Sequence, residues 1–315
     1  MKRNALIFPW VLGLLLCTQR ISAQYYFYDN YAYDTPLMFE FGVSGGFMNC
    51  LTDLGGKKGI GKPFLKDLNI GKTQMNAGVY ISALYKNAIG IRLEGTFGRV
   101  TAYDSVLRDV RATTGGRYER NLNFRSRITE VALITELHPL FMFINWASRD
   151  DEPPRISPYV AAGIGVFSFN PQGRLGNRWV DLQPLSLEGQ GFAEYPNRQP
   201  YKLTQFNVPV GLGVKYELSP TFNIRAEVLH RVLFTDYLDD VSTRYINPAV
   251  FANYFSGIQL QNALALASND RVNPGGPTGN FRKTEGGIRG NPRDKDAYFT
   301  GNIKIGMTIG RERIR

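Results

Sequence analysis

Apolar and small or polar residues alternate strictly along several long stretches of this chain. In "QFNVPVGLGVKYEL" (205–218), Val208, Val210, Leu212, Val214, Tyr216 and Leu218 share one parity, opposed by Asn207, Pro209, Gly211, Gly213, Lys215 and Glu217. Successive side chains of a β-strand point to opposite faces, so this period of two describes a strand with one apolar face and is out of phase with a helix. The pattern returns in "FNIRAEVLHRVLF", where Phe222, Ile224, Ala226, Val228, Val232 and Phe234 oppose Asn223, Arg225, Glu227 and Arg231. It returns again where Ile89, Ile91, Leu93 and Phe97 oppose Arg92, Glu94 and Thr96.

Eight such segments are predicted, near 38–50, 74–85, 88–100, 127–140, 157–169, 204–217, 222–235 and 297–310. Each is about twice the roughly 5–6 residues of an ordinary globular strand. A tilted strand crosses a bilayer in about 9–11 residues, so all eight are long enough to span one. Their connections alternate in length. "YKNA" and "ELSPT" are short, whereas 51–73, 101–126, 170–203 and 236–296 are long. Short turns at one end and long loops at the other describe an all-β, eight-stranded antiparallel up-and-down transmembrane β-barrel with long extracellular loops. The exception is 141–156, a long connection at the turn end.

A soluble β-sandwich also alternates, but it places charges in water, where glycine has no advantage. Here the polar parity is rich in glycine (Gly42, Gly46, Gly78, Gly90, Gly98, Gly211, Gly213) and in charges of both signs, which suits the crowded interior of a narrow barrel. The inward charges are Glu40, Arg92, Glu94, Glu130, Glu136, Lys215, Glu217, Arg225, Glu227, Arg231 and Lys304. Nearly balanced in sign, they are expected to pair across the lumen as a plug, because buried charge is tolerated when paired. A gated ion path or a catalytic carboxylate pair is the alternative for the same cluster.

The first residues, "MKRNALIFPWVLGLLLCTQRISAQ", have a basic start, an apolar run and a small residue at Ala23, the layout of a secretory signal peptide over 1–23. Without it the chain carries 34 basic and 27 acidic residues, a charge of +7, and Cys50 as its lone cysteine, so no intrachain disulfide is expected. A tyrosine-rich segment, 24–36, follows and is read as a periplasmic tail or partner contact, or as an aromatic segment at the barrel rim. The barrel is placed over 37–315.

Candidate sites for chemistry are few. "GKKGIGKP" (56–63) approaches a phosphate-binding loop, but Pro63 replaces the Ser/Thr that would hold magnesium, and no helix follows, so no nucleotide is expected. Its Lys57, Lys58 and Lys62 instead offer positive charge to lipopolysaccharide phosphates. Asp236, Asp239 and Asp240 in "TDYLDDVSTRY" could ligate Ca²⁺ through oxygen, although an acidic turn solvated and capping local amides explains them as well. His138 stands at the turn end, and His230 lies mid-strand on the lipid-facing parity. Neither suits a rim-located hydrolase base, so no enzyme activity and no cofactor are expected. The 246–296 loop, with "NPGGPTGNFRKTEGGIRGNPRDKD", is too poor in apolar residues to fold alone. It lacks the aromatic and basic interleaving of a nucleic-acid site.

The runs "GGKKGIGKPFLKDLN", "YKNAIGIRLEGTFGRV", "GRYERNLNFRS", "LQPLSLEGQGFAEYP", "PYKLTQFNVPVGLGVKYEL" and "LHRVLFTDYLDDVSTRYI" together resemble a family of Gram-negative outer-membrane barrels related to PorG of the type IX secretion system. The resemblance covers nearly all of the chain after residue 23, and "TDYLDDVSTRY" is its most distinctive piece. It implies an integral protein of the outer membrane, surrounded by lipid and lipopolysaccharide, that acts as a non-enzymatic scaffold and contacts periplasmic secretion-ring proteins. It brings no catalytic residues. The contact is expected on the long turn 141–156, with Trp146, Asp150, Asp151 and Glu152, although a solvated turn explains that acidic run equally. A surface adhesion or ligand-binding barrel acting through 170–203 and 236–296 is the alternative function.

Overall fold

The alternation is realised as nine antiparallel strands among the described residues: β1 (Leu37–Leu51), β2 (Gln74–Tyr85), β3 (Ile89–Tyr103), β4 (Asn123–Leu137), β5 (Ile156–Leu175), β6 (Arg178–Asp181), β7 (Thr204–Glu217), β8 (Phe222–Leu233) and β9 (Ala297–Ile309). The structure is a computed structural model that describes residues 37–54, 70–110, 118, 120–144, 154–267 and 285–309. Sequential neighbours pair from β1 to β5, then β5 with β7, β7 with β8, and β8 with β9. The pairing of β9 with β1 closes the ring into an eight-stranded barrel that exposes no long edge.

The faces divide as the period requires. Phe39, Val43, Val79, Ile81, Ile91, Leu93, Val131, Leu133, Ile164, Leu212, Val228, Ile303 and Ile305 stand exposed on the outside, drawn from all eight barrel strands. An apolar belt running right round a closed barrel matches the hydrocarbon of a bilayer rather than water, so this is a transmembrane β-barrel. Aromatic residues border the belt: Phe39, Tyr85, Tyr216 and Phe222 near the turn end, and Phe47, Phe97, Phe206 and Phe234 near the loop end. No helix of the described residues is long and apolar enough to cross a membrane; the strands do so.

Turn chemistry fixes the register locally. Between β2 and β3, Lys86 and Asn87 both take positive φ, and the Ala88 amide donates to the Tyr85 carbonyl at 3.0 Å, the primed turn whose twist matches that of a hairpin. β5 runs six residues past the predicted end at 169. It folds back through Gly176, at φ +60°, into β6, so the third loop projects as a hairpin rather than starting at 170.

The loop end is folded. Helices α2 (Phe251–Tyr254) and α3 (Gly257–Ala267) follow β8, and α1 (Pro139–Met142) caps the turn end after β4. Leu182, Leu185, Leu187 and Phe192 of the third loop form one apolar core with Ile246, Phe251, Ala263 and Leu266 of the fourth. The 246–267 part of the loop expected not to fold alone is ordered by its contact with the third loop. Alone it lacks a core, but the third loop supplies the other half. Beneath this cap, Met48, Val100, Phe124, Ile128, Phe167, Phe169, Leu238 and Tyr298 pack the loop end of the lumen.

Candidate functional site

The lumen is filled from its turn end by charged side chains projecting from every barrel strand except β2 and β5. Ten of the eleven predicted charges are buried: Glu40, Arg92, Glu94, Glu130, Glu136, Lys215, Arg225, Glu227, Arg231 and Lys304. Glu217 shares their parity but lies at the turn end of β7, only partly buried. The buried set is thus balanced, five acids against five bases.

These charges pair across the barrel. Arg92 contacts Glu136, reaches Glu227 at 2.7 Å and Glu94 at 2.9 Å. Arg225 meets Glu136 and Glu40, each at 2.7 Å. Lys304 bridges Glu94 at 2.6 Å and Glu227 at 2.7 Å, and Lys215 reaches Glu40 at 3.1 Å. One layer nearer the loops, Arg231 holds Glu130 at 3.0 Å. Tyrosines complete the acceptors. The Tyr80 hydroxyl donates to Glu40 at 2.7 Å and that of Tyr159 to Glu227 at 2.9 Å. The Arg225 guanidinium also lies 5.5 Å from the Tyr80 ring centre and 5.7 Å from that of Tyr159. Arg92, Arg225 and Lys304 are 0 % exposed, so no water column passes them. The inward glycines make room for the rings. A Cβ at Gly213 would meet the Tyr159 ring, and one at Gly98 would stand 2.9 Å from the Met48 sulfur.

At the turn end His138 was legible in position but not in contacts. Its Nδ1 is 2.8 Å from Ser157 Oγ and its Nε2 3.6 Å from Glu136, and its ring lies 5.1 Å from that of Tyr159. Serine, histidine and glutamate thus come together, but all three are buried and Glu136 is taken by two guanidinium groups. The arrangement locks β4 to β5 below the charge layer. Burial holds the His138 imidazole below its ordinary pKa even with Glu136 beside it. His230 faces outward, half-buried, as its parity requires. Trp146, Asp150, Asp151 and Glu152 lie outside the described residues, as do Lys57, Lys58 and Lys62.

At the loop end the acidic run is buried, which corrects the solvated-turn expectation, although capping of local amides does occur. Asp239 accepts from the amides of Val241 at 2.9 Å and Leu54 at 3.1 Å. Asp240, at φ +64°, accepts from the Tyr201 hydroxyl at 2.7 Å and faces Arg289 at 3.4 Å. Asp236 is 2 % exposed, with neither carboxylate oxygen hydrogen-bonded. Asp239 and Asp240 therefore turn to different partners, and among the described residues no group of three His, Cys, Asp or Glu side chains could hold a metal ion. Burial pushes Asp236 up to about 7 and Asp240 up to about 6. Asp239 and Asp296 are raised by burial and then by neighbouring aspartates.

Glu188, not singled out from sequence, is the hub of this cap. Fully buried, it accepts from the Ser242 and Thr243 amides at 2.9 Å each, from the Thr243 hydroxyl at 2.6 Å and from Arg289 at 2.8 Å. It joins "LQPLSLEGQGFAEYP" to "TDYLDDVSTRY".

No protein-family model matches the chain, and no curated protein matches it. Among solved structures, the N-terminal β-barrel domain of Pseudomonas aeruginosa OprF is similar at 8% identity, over 87% of this chain and 98% of that one, with a TM-score of 0.34. Neisserial surface protein A is similar at 7% identity, over 85% and 96%, with a TM-score of 0.36. The attachment invasion locus protein Ail of Yersinia pestis is similar at 10% identity, over 87% and 97%, with a TM-score of 0.34.

Proposed function

We propose that this barrel is a non-enzymatic scaffold of the Gram-negative outer membrane, exported by the signal peptide at 1–23, that acts in type IX protein secretion in the manner of PorG. The observation that carries the reading is the filled lumen. Ten paired charges with Arg92, Arg225 and Lys304 fully buried leave neither a water path nor a reactive cleft, so function resides at the two ends. The hub at Glu188 adds support, since it joins two of the runs on which the family resemblance rests. The partner side is the turn end, where the 141–156 connection departs from the short-turn rule.

Affinity purification of the full chain from native membranes tests this, with the parent compared with a deletion of 147–153. Periplasmic ring proteins are expected with the parent and lost with the deletion. Undiminished recovery from the deletion removes the turn from consideration, and a parent that brings down no periplasmic protein overturns the scaffold reading.

A second reading, a surface adhesion or ligand-binding barrel, is favoured by the apolar residues the cap leaves in water: Ile258 is 66 % and Ile288 71 % exposed, and Tyr254 and Leu264 are exposed as well. Under it, Ile258→Asp would abolish binding to the target surface and leave envelope partners untouched.

A further inference from the structure

The outer wall of β3, β4 and β5 changes character abruptly on approach to the loops. Outward-facing residues that are register partners form rows across these strands. Leu93, Leu133 and Ile164 make one row, Gly95, Val131 and Val166 the next, and Phe97, Thr129 and Ser168 the one after that. The next row is Arg99, Arg127 and Asn170, and the one after it holds Arg125 and Gln172. Arginine therefore follows Phe97 directly on β3, and follows the hydroxyls of Thr129 and Ser168 on β4 and β5. Lys72 adds its ammonium 4.2 Å above the Tyr103 ring, and exposed Arg174 ends the same face on β5. Near the loop end of the other strands the wall carries exposed Phe47, Met75, Phe206 and Phe234.

Arg99 and Arg127 stand directly opposite each other on adjacent strands. Like charges in that position repel, and an acid beside them would ordinarily relieve it. Neither arginine has a carboxylate in ion-pair contact among the described residues. The nearest acid of the patch, Asp181, is taken by the amides of Asn170 at 3.0 Å and Gln172 at 2.7 Å. Arg125 is preset, stacked 4.3 Å from the Trp179 ring and donating to Gln172 at 2.8 Å. Among the described residues the patch thus holds five cations against one engaged acid, beside the loop end of the apolar belt.

We propose that Arg99 and Arg127, with Arg125, Lys72 and Arg174 above them, form a binding site for the phosphate groups of an anionic lipid of the outward leaflet. Guanidinium groups match phosphate oxygens in a bidentate fork. Phe97 in the next row, and Val131 and Val166 one row beyond Thr129 and Ser168, would lie along the same lipid's acyl chains. The site commits to a lipid because a free anion would gain nothing from that apolar floor. The inference rests on the outer-membrane placement and not on the secretion partner, so failure to recover ring proteins leaves it standing.

The test uses the full chain refolded in detergent, with its folded state verified by gel mobility before and after heating. Native mass spectrometry then measures bound lipopolysaccharide against the same lipid stripped of its phosphates, and against inorganic phosphate as competitor. The parent is expected to prefer the phosphorylated lipid by at least about tenfold, the effect of two or more cations at a charged lipid surface. The double variant Arg99→Gln/Arg127→Gln is expected to lose that preference, while Lys202→Gln/Arg293→Gln, which removes equal charge from exposed loop positions, keeps it. Equal binding of both lipids by the parent overturns the proposal without any variant. So does a double variant that binds as the parent does, or displacement of the lipid by millimolar phosphate.

Discussion

Arg225 and Glu136, 89 residues apart in sequence, meet at 2.7 Å inside the barrel with neither side chain exposed. Arg92 contacts the same carboxylate, so one acid neutralises two guanidinium groups. Removing it leaves Arg92 to Glu94 and Glu227, and Arg225 to Glu40, with one positive charge in excess in a dry interior. Glu136→Ala is expected to lower stability by about 3–5 kcal/mol, read as the urea midpoint of refolding in detergent, because breaking a buried pair costs more than the pair contributes.

Glycine on the inward parity sets how closely the rings pack. A methyl group at Gly213 would overlap the edge of Tyr159, whose hydroxyl donates to Glu227 at 2.9 Å. Gly213→Ala should cost about 1–3 kcal/mol by overpacking. Adding Tyr159→Leu should recover part of that loss in a double-mutant cycle, whereas strictly additive effects would show that the two positions do not touch.

Glu188 holds the cap to itself rather than to the barrel. Glu188→Ala leaves the two amides at 242 and 243 without their acceptor and Arg289 with Asp240 alone. Limited proteolysis should then cut between 234 and 267 at least about tenfold faster, with the heat-modified mobility of the barrel unchanged. A barrel that unfolds together with the cap would contradict this separation.

The cap should also respond to pH. Asp236, raised by burial to about 7 from 3.8, binds its proton more tightly folded than unfolded. Between those values the folded cap holds the extra proton, so its stability falls as pH rises and is lowest above 7. Ser242, Asp53, Lys295 and Glu188 are the groups that act on it. Amide protection factors in 234–246, with the intrinsic pH dependence of exchange divided out, should be higher at pH 5 than at pH 8, and Asp236→Asn should flatten the difference. Equal protection factors at both values in the parent would contradict it.

The barrel was legible because a strand that separates lipid from a packed interior needs a strict period of two, and each of the eight predicted segments overlaps an observed strand. The lumen charges followed from parity alone. Glu217 did not, because parity says which way a side chain points and not how far along the barrel it lies. The cap was not legible. Helix α3 buries Ala263 and Leu266 against the third loop, whose Leu182 lies about eighty residues earlier. The aspartates read as solvated because Arg289, which neutralises Asp240, follows 49 residues later. No local pattern encodes either pairing.

Conductance across planar bilayers tests the filled lumen most directly. With Arg92, Arg225, Lys215, Arg231 and Lys304 each engaged by a carboxylate, the reconstituted protein should show no steady channel in molar salt at moderate voltage, since even that ionic strength does not reach pairs held away from solvent. A large, steady pore in the unmodified protein would contradict the salt-bridged interior, and with it the placing of function at the two ends of the barrel.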